Sequence, residues 1–301
     1  MTPAAYSLIC LVCLSMATAA TAAMSRHSVR QYSATLDTSS WSLKSATALR
    51  CELSHPIPHF GEALFISTAN KENNLIFQLK MERQPGDYGL AQVLSVPPQW
   101  RAGEQAKPVA DMPLLKQFNG DLPKQVAWTL LTELAQGFSP TFYFDDWYSP
   151  FDKVQAVLNP VHFLAPYYQF SGCMAGLLRY NFDDIALTIL AYQSNSDALT
   201  RESEARLQQI AEYLKHDKSI ARVDIDTYTD SYGGRWINEE LSRKRAKQLK
   251  DFFVKAGVDA KVIRTEGFGE KRHVAPNDTS RGRATNRRAV VQLVRAEPPR
   301  I

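Results

Sequence analysis

Five cations crowd the eight residues from Arg243 to Lys250 in the stretch YTDSYGGRWINEELSRKRAKQLKDFFVKAG, which begins at Tyr228. On a helix, Arg243, Lys244, Lys247 and Lys250 lie away from most of the apolar positions and read as a solvated face. Arg245 differs. It follows Leu241 by four residues and precedes Leu249 by four, on the buried side, where a bare guanidinium is costly unless paired. Asp230 ends a predicted strand just before Gly233 and Gly234, which let the chain turn into the helix. Strand end, turn and helix then bring a carboxylate and a guanidinium to the mouth of one pocket. Spacing alone leaves two readings open. One is a plain Asp230–Arg245 salt bridge. The other is a pair held apart to recognise a zwitterion, the Asp taking an ammonium and the Arg forking a carboxylate.

The elements that position this pair begin near Asp183. IALTILAY predicts a strand, and TRESEARLQQIAEYLKH a helix with Leu207, Ile210, Ala211 and Leu214 on one face. ARVDIDTYT alternates Val223, Ile225 and Thr227 with Asp224 and Asp226, as a strand with one wet face requires. The basic helix follows with Ile237, Leu241, Leu249, Phe252, Phe253 and Ala256 as its apolar stripe and Gly257 as its stop. AKVIRTEGFG and RRAVVQLVRA supply two more strands. The order β-α-β-α-β-β over residues 185–301 predicts an open α/β sandwich.

Residues 24–181 read differently. ALRCELSHPIP, EALFISTA, NLIFQLKM, GLAQVLSV and TFYFDDWY are short extended runs punctuated by Pro and Gly. Val126, Leu130, Leu131 and Leu134 predict a helix from Lys124 that stops at Gly137. The expected class is therefore α+β: a β-rich domain with one or two helices, a short linker around Asn181 to Asp184, and the α/β sandwich.

Charge follows the same division. Residues 24–181 carry 13 basic and 13 acidic residues, leaving 22 and 18 of the 35 and 31 for residues 182–301, so the whole net charge of +4 is C-terminal. At the start, an apolar run from Leu8 to Met16 precedes Ala20-Thr21-Ala22-Ala23, which predicts a signal peptide over residues 1–23, although no Lys or Arg precedes the run. The run is shorter than the ~20 residues of a membrane span, and no later segment approaches that length, so stable membrane insertion is not expected. Of the four cysteines, Cys10 and Cys13 leave with the signal, and neither follows a Gly, Ala or Ser as lipid attachment would favour. Cys51 and Cys173 remain, either bridged or as two separate thiols.

Thr229-Asp230, Gly233, Asn238, Leu241-Ser242, Arg245-Ala246, Gly257-Val258, Gly267-Phe268-Gly269-Glu270, Asn277, Thr279, Gly282-Arg283 and Asn286-Arg287-Arg288 follow the order and spacing of the OmpA-like peptidoglycan-binding domain, which residues 185–301 resemble. The resemblance implies that Asp230 and Arg245 hold the amino and carboxylate ends of diaminopimelate in a peptidoglycan stem, with Asn238, Leu241 and Arg287 lining the pocket. The family usually has GHTD where this chain has Thr227-Tyr228-Thr229-Asp230. Upstream, RQYSATLDTSSWSL, LRCELSHPIPHFGEALF and PVHFLAPYYQFSGCMAGLLRYNFDDI resemble the MotY family of sodium-driven polar flagellar motors. That resemblance implies a periplasmic protein of the flagellar basal body. It forms a ring with MotX, supports assembly of PomA/PomB stator units, needs no cofactor and bridges Cys51 to Cys173.

Rival readings are weaker. HExxH and GxSxG are absent from the sequence, and CxxC is absent from residues 24–301. His55 and His59 have metal-ligand spacing, but Pro56 and Pro58 forbid a regular helix and read them as loop residues. Asp145 and Asp146 beside Trp147 fall on opposite faces of a strand, against a hydrolytic carboxylate pair. An exported chain meets no nucleic acid, although Arg243 to Lys250 and Arg281 to Arg288 have the charge for it. The alternative that survives is a general OmpA-like wall tether without a role in motility.

Overall fold

The computed structural model describes residues 28–149, 151–194 and 196–296, so the expected signal peptide lies outside the described residues. The elements run β1 (Ser28–Ser33), β2 (Ser42–Ala46), β3 (Arg50–Ile57), β4 (Gly61–Thr68), β5 (Ile76–Met81), β6 (Gly89–Val96), β7 (Lys107–Leu114), β8 (Gly120–Leu122), α1 (Lys124–Ala135), β9 (Ser139–Asp145), β10 (Asp152–Val157), α2 (Leu164–Ala175) and α3 (Phe182–Ile185). They continue with β11 (Leu187–Ala191), α4 (Arg201–His216), β12 (Ile220–Thr227), α5 (Arg235–Lys255), a 3₁₀ turn (Ala260–Val262), β13 (Ile263–Gly267), α6 (Ser280–Asn286) and β14 (Arg288–Arg295).

The first ten strands form two sheets, β1-β10-β9-β6-β7 and β2-β3-β4-β5-β8. Alternation drives their packing: in β5, Phe77, Leu79 and Met81 turn inward to meet Phe65 and Phe142 in one core. Phe77 stacks on Phe142 with ring centroids 5.3 Å apart. Leu130, Leu131 and Leu134 seat α1 on this core, and Gly137 follows it at φ 85°, a conformation only glycine adopts without strain. The second helix, α2, packs on β2 and β3, and a disulfide between Cys51 of β3 and Cys173 of α2 fastens it there with Cα atoms 6.0 Å apart.

A separate core fills the C-terminal half, where the sheet runs β11-β14-β12-β13. Val223, Ile225, Val291 and Leu293 are buried, as are Leu207, Ile210 and Leu214 of α4 and Leu249 and Phe253 of α5. This is the expected α/β sandwich with three short additions: α3 where the linker was expected, the 3₁₀ turn before β13, and α6 before the last strand. The two halves meet where Lys71 pairs with Asp184 (2.6 Å), beside the segment after α2, whose Leu178 N–H donates to the Ala48 carbonyl (2.9 Å) and whose Leu178 carbonyl accepts the Asn70 N–H (3.1 Å). Among the described residues no helix is long and apolar enough to cross a membrane.

Two expectations need correction. His55 is not a loop residue but lies buried in β3, stacked on Trp41 at 4.4 Å, donating through Nδ1 to the Ser40 carbonyl and accepting the Asn159 N–H at Nε2. Proline forbids a helix but not this strand position. Burial pulls its imidazole down to about 4, against the upward effect of the Ser40 contact. His59 does sit in the tight turn between β3 and β4, at φ 62°. Secondly, Ile237 is exposed and Leu241 only half-buried, whereas Asn238, Ser242 and Arg245 are buried. The first half of α5 therefore faces a polar cavity, and only its second half packs on the apolar core. As expected, Asp145 is exposed, beside Lys153, while Asp146 turns inward to Arg30 at 3.0 Å.

Candidate functional site

Asp230, Asn238, Leu241, Arg245 and Arg287 line one open cavity of about 510 Å³, together with Ser196, Asp197, Thr229 and Tyr232. It lies where the chain leaves β12, turns through Gly233 at φ 95° and enters α5, with Arg287, just before β14, and Ser196 and Asp197 completing its lining. Asn238, Leu241 and Arg245 reach it from one face of α5, three and then four residues apart. Close approach of α5 to β13 holds the arrangement. A Cβ on Gly267 would lie 2.5 Å from the Arg243 backbone nitrogen, so only glycine lets the helix settle there.

The charged groups pair differently from the salt-bridge reading. Asp230 Oδ2 accepts from Arg287 Nη1 at 2.8 Å, and its Oδ1 accepts the Tyr232 N–H at 3.1 Å. Arg245 instead donates through Nη2 to the Ser196 carbonyl at 2.6 Å and lies 4.1 Å above the Tyr192 ring. Its Nε is 4.0 Å from Asp197 Oδ1, within ion-pair range but too long for a hydrogen bond, since Asp197 is drawn to Lys244 at 2.5 Å. Among the described residues Nε and Nη1 have no hydrogen-bond partner, and the residue is only 2% exposed. Burial pulls the guanidinium below the usual arginine range, opposed by Tyr192 and Asp197. A buried donor without a partner costs roughly 1–3 kcal/mol, so this one is primed for an incoming acceptor.

The neighbouring motif residues brace the cavity. Asn238 donates to Glu270 (3.0 Å) and to the Asp230 carbonyl (3.3 Å), which ties the helix to the turn. Asn286 accepts the N–H groups of Val274 and Ala275 and donates to the Ala275 carbonyl, pinning the preceding loop so that Arg287 meets Asp230. The Thr227-Tyr228 departure lies outside the cavity. Thr227 donates to the Ser242 carbonyl (2.6 Å), and Tyr228 stacks on Phe268 at 5.1 Å with Arg288 4.0 Å from its ring centroid. Ser196, Asp197 and Tyr192 were not expected at the site. They follow no periodic pattern, and only the pairing of β11 with β14 brings them over α5.

Of the cations read as a solvated face, Arg243, Lys244 and Lys247 are exposed, Arg243 bridging Glu239 and Glu240, each at 2.8 Å, whereas Lys250 is half-buried and donates to the Ile263 carbonyl at 3.4 Å.

Residues 32–179 match the MotY N-terminal domain, and residues 191–287 match the OmpA family. The chain is 42% identical over 268 residues to the sodium-type flagellar protein MotY of Vibrio parahaemolyticus, covering 89% of this chain and 92% of that one. Peptidoglycan-binding protein ArfA of Mycobacterium tuberculosis is 37% identical over 102 residues, 34% of this chain and 31% of that protein. Among solved structures, the peptidoglycan-associated lipoprotein of Burkholderia pseudomallei aligns with 35% of this chain and 89% of its own, at 26% identity and a TM-score of 0.33. The chain belongs to the MotY family of flagellar motor proteins, structural rather than enzymatic, and carries an OmpA-type domain.

Proposed function

We propose that this flagellar motor protein works in the periplasm at the basal body, where it anchors to peptidoglycan by taking the diaminopimelate of a stem peptide into the cavity between β12 and α5. The observation that carries the reading is the Arg245 guanidinium, buried at the cavity with Nε and Nη1 unsatisfied and with the Asp230 carboxylate on the same cavity wall. A ligand carboxylate forks onto Arg245, and the ammonium of the same zwitterion joins Asp230, whose carboxylate has lone pairs beyond the two its present partners use. Asn238, Leu241 and Arg287 shape the space between them.

Residues 24–181 supply the contacts to MotX and the basal body that support PomA/PomB-type stator assembly, and residues 185–301 supply the wall contact. The support for this division is that the family match upstream is MotY-specific, whereas the OmpA family match covers the cavity. Pelleting with purified sacculi tests the reading. Asp230→Ala or Arg245→Ala is expected to weaken binding tenfold or more, since each removes a charge-assisted contact worth roughly 1.5–3 kcal/mol. Undiminished pelleting of both variants refutes it.

A further inference from the structure

A second cavity, of about 340 Å³, opens at the end of the N-terminal sandwich where the turn between β9 and β10 meets the turn between β3 and β4. Phe60, Phe144 and Val154 are its buried floor, Tyr32 and Trp147 its half-buried walls, and Tyr148 stands exposed at the rim. The rings are ordered against one another: Trp147 stacks on Phe144 at 5.3 Å, and Tyr148 leans on Trp147 at 6.0 Å.

Its polar groups fall into two sets. Arg30 and Asp146 are engaged, because Arg30 pairs with Asp146 (3.0 Å) and Asp152 (2.6 Å) while Asp146 also accepts the Tyr148 N–H (2.9 Å). His59, Glu82 and Arg83 are exposed at the opening, and among the described residues none of their side chains makes a hydrogen bond or ion pair. The Arg83 guanidinium lies over the Tyr148 ring, 5.9 Å from its centroid. The two guanidiniums and two carboxylates of the lining cancel in formal charge.

We infer that this cavity binds an uncharged pyranose ring of an oligosaccharide. The cancelling charges of the lining give a ligand of one net charge no overall attraction. An aliphatic or aromatic side chain would fill the walls but strip water from an imidazole, a carboxylate and a guanidinium without returning hydrogen bonds. A pyranose suits both sets: its C–H faces lie against the rings, and its hydroxyls, each donor and acceptor, meet a donor in Arg83, an acceptor in Glu82 and either in His59. A cavity of this size is at the lower end of the small-molecule range and takes one or two such rings.

The test uses the mature full-length chain carrying Arg245→Ala, which silences the C-terminal cavity. Saturation-transfer NMR and calorimetry follow N,N′-diacetylchitobiose, cellobiose and maltose. Saturable binding of at least one disaccharide is expected, weakened at least fivefold by Tyr148→Ala and by Arg83→Ala. Both substitutions are on exposed side chains and should leave the thermal transition in place. Three results overturn the inference: no saturable binding of any of the three, binding present only when Arg245 is intact, or binding indifferent to both rim variants. It also fails if the rim variants abolish recruitment to the flagellar base while no sugar binds, because the cavity is then a protein contact.

Discussion

Replacing Arg245 by methionine separates binding from folding more cleanly than truncation does. Methionine keeps the length and apolar bulk of the stem, so little cavity is opened beneath Tyr192. What the fold loses is the Nη2 bond to the Ser196 carbonyl and the cation over the Tyr192 ring, worth about 1–3 and about 0.5–2 kcal/mol. It is also relieved of two unsatisfied buried donors, Nε and Nη1, each costing roughly 1–3 kcal/mol. The opposing effects are of one size, so unfolding stability should stay within about 1 kcal/mol of the parent, a shift of only a few degrees in Tm for a domain of this size. Wall binding has no such compensation. Losing charge-assisted bonds of about 1.5–3 kcal/mol lowers affinity for sacculi or a soluble diaminopimelate-containing stem peptide roughly 10–150-fold. Calorimetry with the peptide, paired with chemical denaturation, reads both quantities. A variant clearly destabilised yet binding at parental affinity would show that Arg245 is a structural cation, and the site assignment would fall.

Other expectations can be checked alongside it. Reducing the Cys51–Cys173 bridge, which closes a loop of 122 residues, should cost roughly 4–5 kcal/mol in the chain-entropy model, read as a lower denaturant midpoint under reducing conditions. Free thiols in unreduced material from the cell envelope would contradict the bridge. The imidazole of His55 titrates near 4 when folded and near 6.5 when unfolded, so above 6.5 both states are neutral and it adds no pH dependence. Between 6.5 and 4 only the unfolded chain takes the proton, and stability should fall as pH falls, by up to about 3 kcal/mol. His55→Gln should flatten that slope in urea titrations, and an unchanged slope would place the titration elsewhere. Expressed separately as fluorescent fusions, residues 24–181 should gather at the flagellar base and residues 185–301 should coat the wall without aiding motility. The reverse pattern would invert the proposed division.

How much of this was legible from the chain depends on the range of the forces involved. Local signals worked: the leucines of α1 and its glycine stop, and the alternation along β12, mark burial that neighbours in sequence share. Helix α2 left no such mark. It carries no charged residue, holds a central Gly172 and leaves Leu164 and Tyr168 exposed, so no polar face sets off an apolar one. Strand β1 pairs in parallel with β10, Ser28 opposite Asp152, and a partner so distant imprints nothing on local spacing. At the cavity, helical spacing identified the face that Arg245 shares with Asn238 and Leu241, but not its partners. Asp230 had two guanidiniums within reach, and the choice of Arg287 was made by Asn286 fixing the loop before it. Ser196 and Asp197 enter through sheet pairing, which no run of residues announces.

The placement of the disulfide has a mechanical meaning. A pull transmitted from the C-terminal half enters the N-terminal half through the segment after α2, which is hydrogen-bonded to Ala48 and Asn70 and lies only a few residues from Cys173. Without the bridge, that tension would peel α2 from the sheet one turn at a time, breaking its contacts in sequence at low force. With it, the load crosses at Cys173 into β3, a strand flanked on both sides by β2 and β4. The backbone hydrogen bonds that pair β3 with β2 and with β4 then stand behind that point of attachment. The path from the C-terminal half is therefore covalent up to the interior of a sheet, and under the proposed wall contact the weakest link moves out to the cavity that would hold the ligand.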